Sequence, residues 1–243
     1  MSTSRLAERI RRRETPLFDA LYRTAKWIRG RSMPPIRLIY LPLRGERALR
    51  HGLWAGVSRF LYHEPMFRTR CLSCGPGLHL VGGQPQLLGP LVLRIGRGVT
   101  MHGVSTFAAG KLVPEPLLEV GDHTHLGYRL DLSVSDQVRI GRHVLIANRV
   151  CLMGYDFHPL DAMSRARNEP PGPEGIGSIH IGDHVWIGSD VTVLKGVTIG
   201  EGAVIGVGAM VTRDIPPFSL AVGNPARVVR SLAPVAGPRS GAA

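Results

Sequence analysis

The sequence predicts an all-β solenoid of six-residue units behind a basic, helical N-terminal extension, and three observations lead there. Ile181, Ile187, Val193, Ile199, Ile205 and Val211 stand six residues apart, and four of them are followed by glycine, at Gly182, Gly188, Gly200 and Gly206. Val185, Val191, Val197, Ala203 and Ala209 come four residues after the first five, so each unit sends two side chains inward. That period fits neither a helix nor a simple alternating strand, but it suits a short strand plus a tight corner, repeated. The third observation is compositional: 243 residues with 44% hydrophobic content support a real core, and 30 glycines suit many corners.

Three units close a triangular coil of eighteen residues. Ile181 then lies under Ile199, Ile187 under Ile205 and Val193 under Val211, each coil covered by the next at roughly 4.8 Å. The same phase runs upstream through Ile140, Ile146, Leu152 and His158, through Val120, Leu126 and Leu132, and through Ile95, Met101 and Phe107. Between these runs the register slips. Lys111 to Pro116 carries two prolines, and Gly154 to Ser178 carries Pro159, Pro170, Pro171 and Pro173, so both read as loops leaving the solenoid. Long loops in compact domains are usually functional or disordered, which directs attention to the loop around His158.

The extension comes first in the chain. Thr15 as N-cap, Pro16 at the first helical position and Gly30 past the end predict a helix near 16–29, with Leu17, Leu21 and Ile28 on one face and a shorter helix before it. The formal net charge of +12 is concentrated here, because residues 1–70 hold sixteen Lys+Arg against five Asp+Glu. Arg11, Arg12, Arg13, Arg23, Lys26, Arg29 and Arg31, with Trp27 and Phe18, suit an anionic lipid surface; a solvated helical face is the equal alternative. No nucleic-acid module accompanies the charge, so nucleic acid is not an expected partner. No apolar run approaches the roughly 20 residues that span a bilayer, and the N-terminus lacks a signal-peptide core. Cys71 and Cys74 form a lone CxxC among three cysteines, read as reduced thiols rather than a zinc site. The expected location is cytoplasmic, with peripheral contact at the inner membrane face.

Residues 179–230, with the WIGS motif at Trp186 to Ser189 and the Val211-Thr212-Arg213-Asp214-Ile215-Pro216-Pro217 run, closely resemble the C-terminal half of hexapeptide-repeat acyltransferases. The sugar O-acetyltransferases of the maltose, galactoside and colanic-acid type are the most similar. The resemblance is strong over Ile140–Arg230, weak from Gly75 to Val138 and sparse before that. It implies a left-handed parallel β-helix, acetyl-CoA as co-substrate, no metal, and a homotrimer with sites at the subunit seams.

Residue by residue, the resemblance places His158 at the position of the catalytic histidine. The chemistry is sensible in itself, since a neutral imidazole can remove the proton of an acceptor hydroxyl as it attacks a thioester. Asp156 and Asp161 are both candidates to orient that ring, and a short acidic turn beside a proline is the other reading of them. Trp186 and Ser189 match positions beside the thioester, with the Ser189 N–H as the oxyanion donor. Gly206 and Val207 border the pantetheine arm, and Thr212, Arg213, Arg227 and Arg230 match cofactor-contacting positions, three guanidinium groups suiting a pyrophosphate and a 3′-phosphate. The asparagine that contacts the acceptor in galactoside-type enzymes is missing from the matching stretch, Leu126 to Asp131. Tyr128, Asp131 and Asn148 are the candidates to replace it.

The expected domains are therefore a basic, mainly helical extension over 1–74, the β-helix over 75–215 with a loop insertion at 154–178, and a cofactor-contacting segment and flexible tail over 216–243. The expected function is acetyl-CoA-dependent O-acetylation of a saccharide, either a polysaccharide or a lipid-linked precursor. Two alternatives come from other classes. A zinc lyase of the gamma carbonic anhydrase type uses the same solenoid, and His143, His180 and His184 are loosely spaced like its ligands, although the arginines would then be unexplained. A catalytically silent scaffold is the other, and it predicts no coenzyme A binding.

Overall fold

The computed structural model describes residues 3–232 apart from 33, 35 and 111; the C-terminal tail lies outside the described residues from 233 onward. Two compact units divide the chain, Met1–Leu53 and Trp54–Ala243.

The first unit contains α1 (Thr3–Arg12), α2 (Pro16–Arg29) and most of α3 (Arg37–Ser58). The helix read over 16–29 is present with the signals that predicted it. Thr15 Oγ1 accepts the Phe18 N–H at 3.3 Å, Pro16 opens the helix, and the Gly30 N–H closes it on the Lys26 carbonyl at 3.1 Å. Phe18, Tyr22 and Ala25 are half-buried, with the Arg9 and Arg13 guanidinium groups over the Phe18 and Tyr22 rings. Leu17, Leu21 and Ile28 stay exposed, and neither α2 nor α3 buries any residue. α3 falls in the stretch expected to be mainly helical but was not singled out as a helix, because its interior Pro42 argues against one there.

The second unit is a parallel solenoid with three sheets. The first and third hold six strands each; the second holds eight. The expected stacking is observed: Ile181 pairs with Ile199, Ile187 with Ile205 and Val193 with Val211. These six residues, and the five that follow at four-residue distance, are all buried. Each fully buried aliphatic contributes about 1.5–3 kcal/mol relative to exposure. The upstream phase is also real, since Ile95, Val120 and Ile140 stack in the first sheet and Met101, Leu126 and Ile146 in the second. His158 breaks it. Leu152 is the last inward residue of its coil; the next is Ile179, and Ile181 takes the place over Ile140. The chain between them leaves the coil as the expected loop, which contains α5 (Ala162–Ala166) and a short turn of 3-10 helix.

Packing explains the glycines. A Cβ on Gly182 would lie 2.7 Å from the Glu201 backbone nitrogen, and one on Gly188 would lie 2.8 Å from that of Val207. Corner backbones of successive coils are that close at these two positions, so the residue after Ile181 or Ile187 must lack a side chain. Two positions later the chain bends through positive φ without glycine, at His123, His143 and His184 on the corner between the first and second sheets. Their rings stack at 5.2 Å from coil to coil.

Both ends of the solenoid are covered within this unit. A short helix, α4 (Glu64–Arg68), inserts Phe67 into the core at the first coil, and the Arg68 guanidinium donates to the Cys74 and Gly75 carbonyls at 3.2 Å. Cys71 and Cys74 are free thiols beside it, and burial pushes Cys71 up to about 12. At the far end Arg227–Ser231 pairs antiparallel with Ser219–Val222, the last parallel strand of the second sheet.

Candidate active site

Each corner of the solenoid carries different chemistry. His158 lies beyond the strand Cys151–Met153 of the third sheet, on the corner that leads back to the first. The base of its loop is tied down: Tyr155 bridges Ile176, the Asp156 N–H donates to the Gly175 carbonyl at 2.8 Å, and the Gly177 N–H donates to Gly154 at 3.0 Å. Tyr155 and Phe157 pack ring on ring at 4.6 Å. A cavity of about 410 Å³ opens here, lined by Ala109, Gly110 and Leu112 on one side and by Tyr155 to His158 and Asn168 to Pro171 on the other. His158 is exposed on its rim, and among the described residues its ring has no protein hydrogen-bond partner.

Neither candidate for orienting that ring is directed to it. Lys195 donates to Asp156 Oδ2 at 2.6 Å, an ion pair that anchors the loop to the next coil. Asp161 caps α5, accepting the Ser164 N–H at 2.7 Å, and this bond holds its carboxyl below the usual aspartate range. The acidic turn is thus a structural staple. Lys195 was missed by the sequence reading because it sits 39 residues from Asp156, and only the coil count through the long loop brings them together.

The expected cofactor residues fall elsewhere. Trp186, 54% exposed, stands on the outer face of the second sheet between Leu145 and Val204. Ser189 follows it at the corner between the second and third sheets. Its carbonyl accepts the Gly208 N–H at 2.9 Å, whereas its own N–H has no protein acceptor among the described residues. The Gly206 N–H is bonded to the Ala221 carbonyl at 2.8 Å, and Val207 is 74% exposed on the same corner. Thr212 and Arg213, also exposed, follow the Met210–Val211 strand on the His158 corner.

Arg227 and Arg230 face the same way for a reason in the backbone. Paired residues share a face of a sheet; Arg227 pairs with Val222 and Arg230 with Leu220, which flank the buried Ala221. A bulge between Leu220 and Ala221 resets the alternation and turns both arginines outward.

The acceptor candidates divide similarly. Asn148 Oδ1 accepts the Tyr128 N–H at 2.9 Å, so that amide stabilises the corner between two coils. Asp131 lies near Tyr155, whose phenol is raised by burial first and by that carboxylate second. The three histidines of the zinc reading are not gathered within the chain. His143 and His184 stack face to face at 3°, offering ring faces rather than nitrogen lone pairs to each other, and His180 lies on the first sheet.

Known proteins agree with this architecture. Residues 178–213 match the family described as bacterial transferase hexapeptide (six repeats). A candidate acetyltransferase of Schizosaccharomyces pombe is 39% identical over 162 residues, covering 62% of this chain and 74% of that protein. A candidate acetyltransferase of Staphylococcus aureus strain Mu50 is 45% identical over 75 residues, 31% of this chain and 36% of the relative, so the match spans about a third of that protein's length. Among solved structures, AntD, an N-acyltransferase from Bacillus cereus crystallised with dTDP-4-amino-4,6-dideoxyglucose and coenzyme A, superposes with a TM-score of 0.57 at 19% identity, over 70% of this chain and 88% of that one, and shows the shared fold. The repeat, the solenoid it builds and the 39% identity over most of the yeast relative together make this chain a member of the hexapeptide-repeat acyltransferase family.

Proposed function

We propose that the chain transfers an acetyl group from acetyl-CoA to a hydroxyl of a saccharide, a polysaccharide or a lipid-linked precursor, with His158 as general base. The observation that carries this reading is an imidazole on the rim of a cavity of about 410 Å³, with no protein partner among the described residues to occupy its nitrogens. A ring nitrogen of His158 takes the acceptor proton while the oxygen attacks the thioester carbon. The oxyanion that forms is held by the Ser189 N–H, which has no competing acceptor among the described residues. Collapse expels the coenzyme A thiolate, which recovers the proton from the imidazolium. Arg227 and Arg230, on one outer face of the second sheet, suit the cofactor phosphates, whereas Thr212 and Arg213 lie on the His158 corner and would add to them from a second copy.

His158 and Ser189 lie on different corners of one chain, and neither Ser189 nor the arginines line the His158 cavity. The site is completed between copies, which is the reason to propose a homotrimer with three sites at the seams. Replacing His158 by Ala is expected to lower turnover by about 10² to 10⁴ while coenzyme A affinity stays nearly unchanged. Near-normal turnover rules the base out. The product reports the acceptor: hydroxylamine releases an O-acetyl ester and leaves an N-acetyl amide intact. Absence of any coenzyme A binding would favour the scaffold class.

A further inference from the structure

The buried core of the second unit begins at Phe67. Among the described residues up to Leu53, no side chain is buried. Instead the helices expose large apolar groups. Leu17, Leu21 and Ile28 of α2 are 67%, 45% and 59% exposed, and at 100° per residue they fall within about 40° of one another. α3 adds exposed Leu38, Leu41, Leu43, Leu49, Leu53 and Trp54, spread around the helix rather than on one face. An open apolar surface of this kind marks an interaction site.

Charge selects what covers it. The first 53 residues carry thirteen Lys+Arg and four Asp+Glu. All four acids are already in ion pairs, Glu8 with Arg12, Glu14 with Arg9, Asp19 with Arg23 and Glu46 with Arg50. Among the described residues no carboxylate remains for Arg11, Lys26, Arg29, Arg37, Arg44 or Arg47. In α2 the cations sit on the side opposite the leucine stripe, with Trp27 at its flank under the Arg31 guanidinium at 4.5 Å. A second copy of this unit would bring like charges together, whereas lipid phosphates would neutralise them. No described helix is long and apolar enough to cross a membrane.

We propose that α1 to α3 form a docking surface for an anionic lipid bilayer, lying in the headgroup layer with the Leu17, Leu21 and Ile28 stripe in the acyl boundary and the free cations on phosphates. Binding needs both parts, because exposed charge alone is screened within about 8 Å at physiological ionic strength.

The test uses the full-length protein in sedimentation with vesicles of phosphatidylcholine alone and of phosphatidylcholine with phosphatidylglycerol. Binding is expected to the mixed vesicles only, and added salt is expected to weaken it. Two variants separate the contributions: Leu21→Asn with Ile28→Asn removes the stripe and keeps the charge, and Lys26→Glu with Arg29→Glu reverses the charge and keeps the stripe. Each is expected to lower binding at least about tenfold. Circular dichroism and acetyl transfer to a soluble acceptor should stay unchanged, since all four residues are exposed and outside the proposed site. Failure of the intact protein to bind mixed vesicles overturns the proposal, as does equal binding by the Leu21→Asn/Ile28→Asn protein. Self-association that this variant abolishes, without vesicle binding by the parent, would assign the stripe to a second copy and also overturns it. Loss of acetyl transfer in the His158 experiment bears on the other proposal alone.

Discussion

Replacing Gly182 by Ala tests the claim that corner glycines are required by the approach of the next coil. The new Cβ would meet the Glu201 nitrogen at 2.7 Å, the Glu201 Cα at 3.0 Å and the Gly200 carbonyl carbon at 3.1 Å, all backbone. Restoring ordinary contact at 3.4 Å requires the coils to part by about 0.7 Å at this corner. The Gly182 N–H bond to the Ile199 carbonyl, now 2.8 Å, would stretch toward about 3.5 Å, where it is largely lost. One weakened hydrogen bond costs about 1 kcal/mol and overpacking about 1–3 kcal/mol, against a gain of about 0.4–1 kcal/mol from a stiffer unfolded chain. The net expectation is a loss of about 2–3 kcal/mol, a melting temperature lower by about 5–10 °C for a domain of this size. Gly196 is the control, because it sits at φ +76 with nothing within 4 Å of its Cβ position. Gly196→Asn keeps a residue that tolerates that backbone and is expected to melt within about 2 °C of the parent. Thermal melts by circular dichroism at matched protein concentration read both. If Gly182→Ala melts with the parent, the corner is looser than its geometry, and the packing account of the repeat is wrong.

The remaining predictions concern the site and the corners. If His158 of one copy works with the cofactor face of another, His158→Ala protein co-expressed with Arg227→Ser/Arg230→Ser protein and assayed at acetyl-CoA far below the KM of the arginine variant should regain about a quarter of parental activity, because one seam in four then joins two intact halves; no recovery over the separate variants under that condition refutes a shared site. Each arginine variant alone should raise the KM for acetyl-CoA about ten- to a hundredfold with little change in kcat, since a lost charge-assisted contact of about 1.5–3 kcal/mol acts on binding. Asp122 accepts the Arg97 N–H at 2.7 Å and Asp183 the Arg142 N–H at 2.8 Å, and those backbone bonds first, with the guanidinium groups second, hold both carboxyls below the usual aspartate range. Their stabilisation is present above the unfolded value near about 4 and is lost as pH falls through the lower folded value, so Asp122→Asn/Asp183→Asn protein should lose less melting temperature than the parent on going to acid pH.

Much of this was written in the residues themselves. The second half of the solenoid was legible because its units are uninterrupted, so counts of six from Ile181 and from Val185 find the inward positions to Val211. The same count fails at His158, since nothing in the local pattern distinguishes an inward residue from one that has left the coil; the prolines after it gave the only warning. Thr15, Pro16 and Gly30 revealed α2 through capping chemistry that acts within a few residues. α3 stayed hidden because a proline and three glycines occupy a weakly amphipathic stretch. In the site, His158 was visible through the family pattern. Asp156, one of the two carboxylates read as candidates to orient that ring, is paired with Lys195 from a coil that the sequence places far away.

The three corners also differ in how much chain they hold. From the first sheet to the second, and from the second to the third, the inward residues keep six-residue spacing in nearly every coil, as in Val120, Leu126 and Leu132. Length varies on the return: Phe107 is followed by Val120, and Leu152 by the whole Gly154–Ser178 loop before Ile181 resumes the stack. Closing a longer loop costs slowly more entropy, so the stack tolerates insertions there without losing register. The Gly154–Ser178 loop, part of the wall of the His158 cavity, can thus be exchanged as a cassette between the Met153 and Ile179 ends, while the corner bearing Ser189 keeps its fixed spacing. On the function proposed above, a lineage, or an engineer, could change the acceptor without disturbing the donor side.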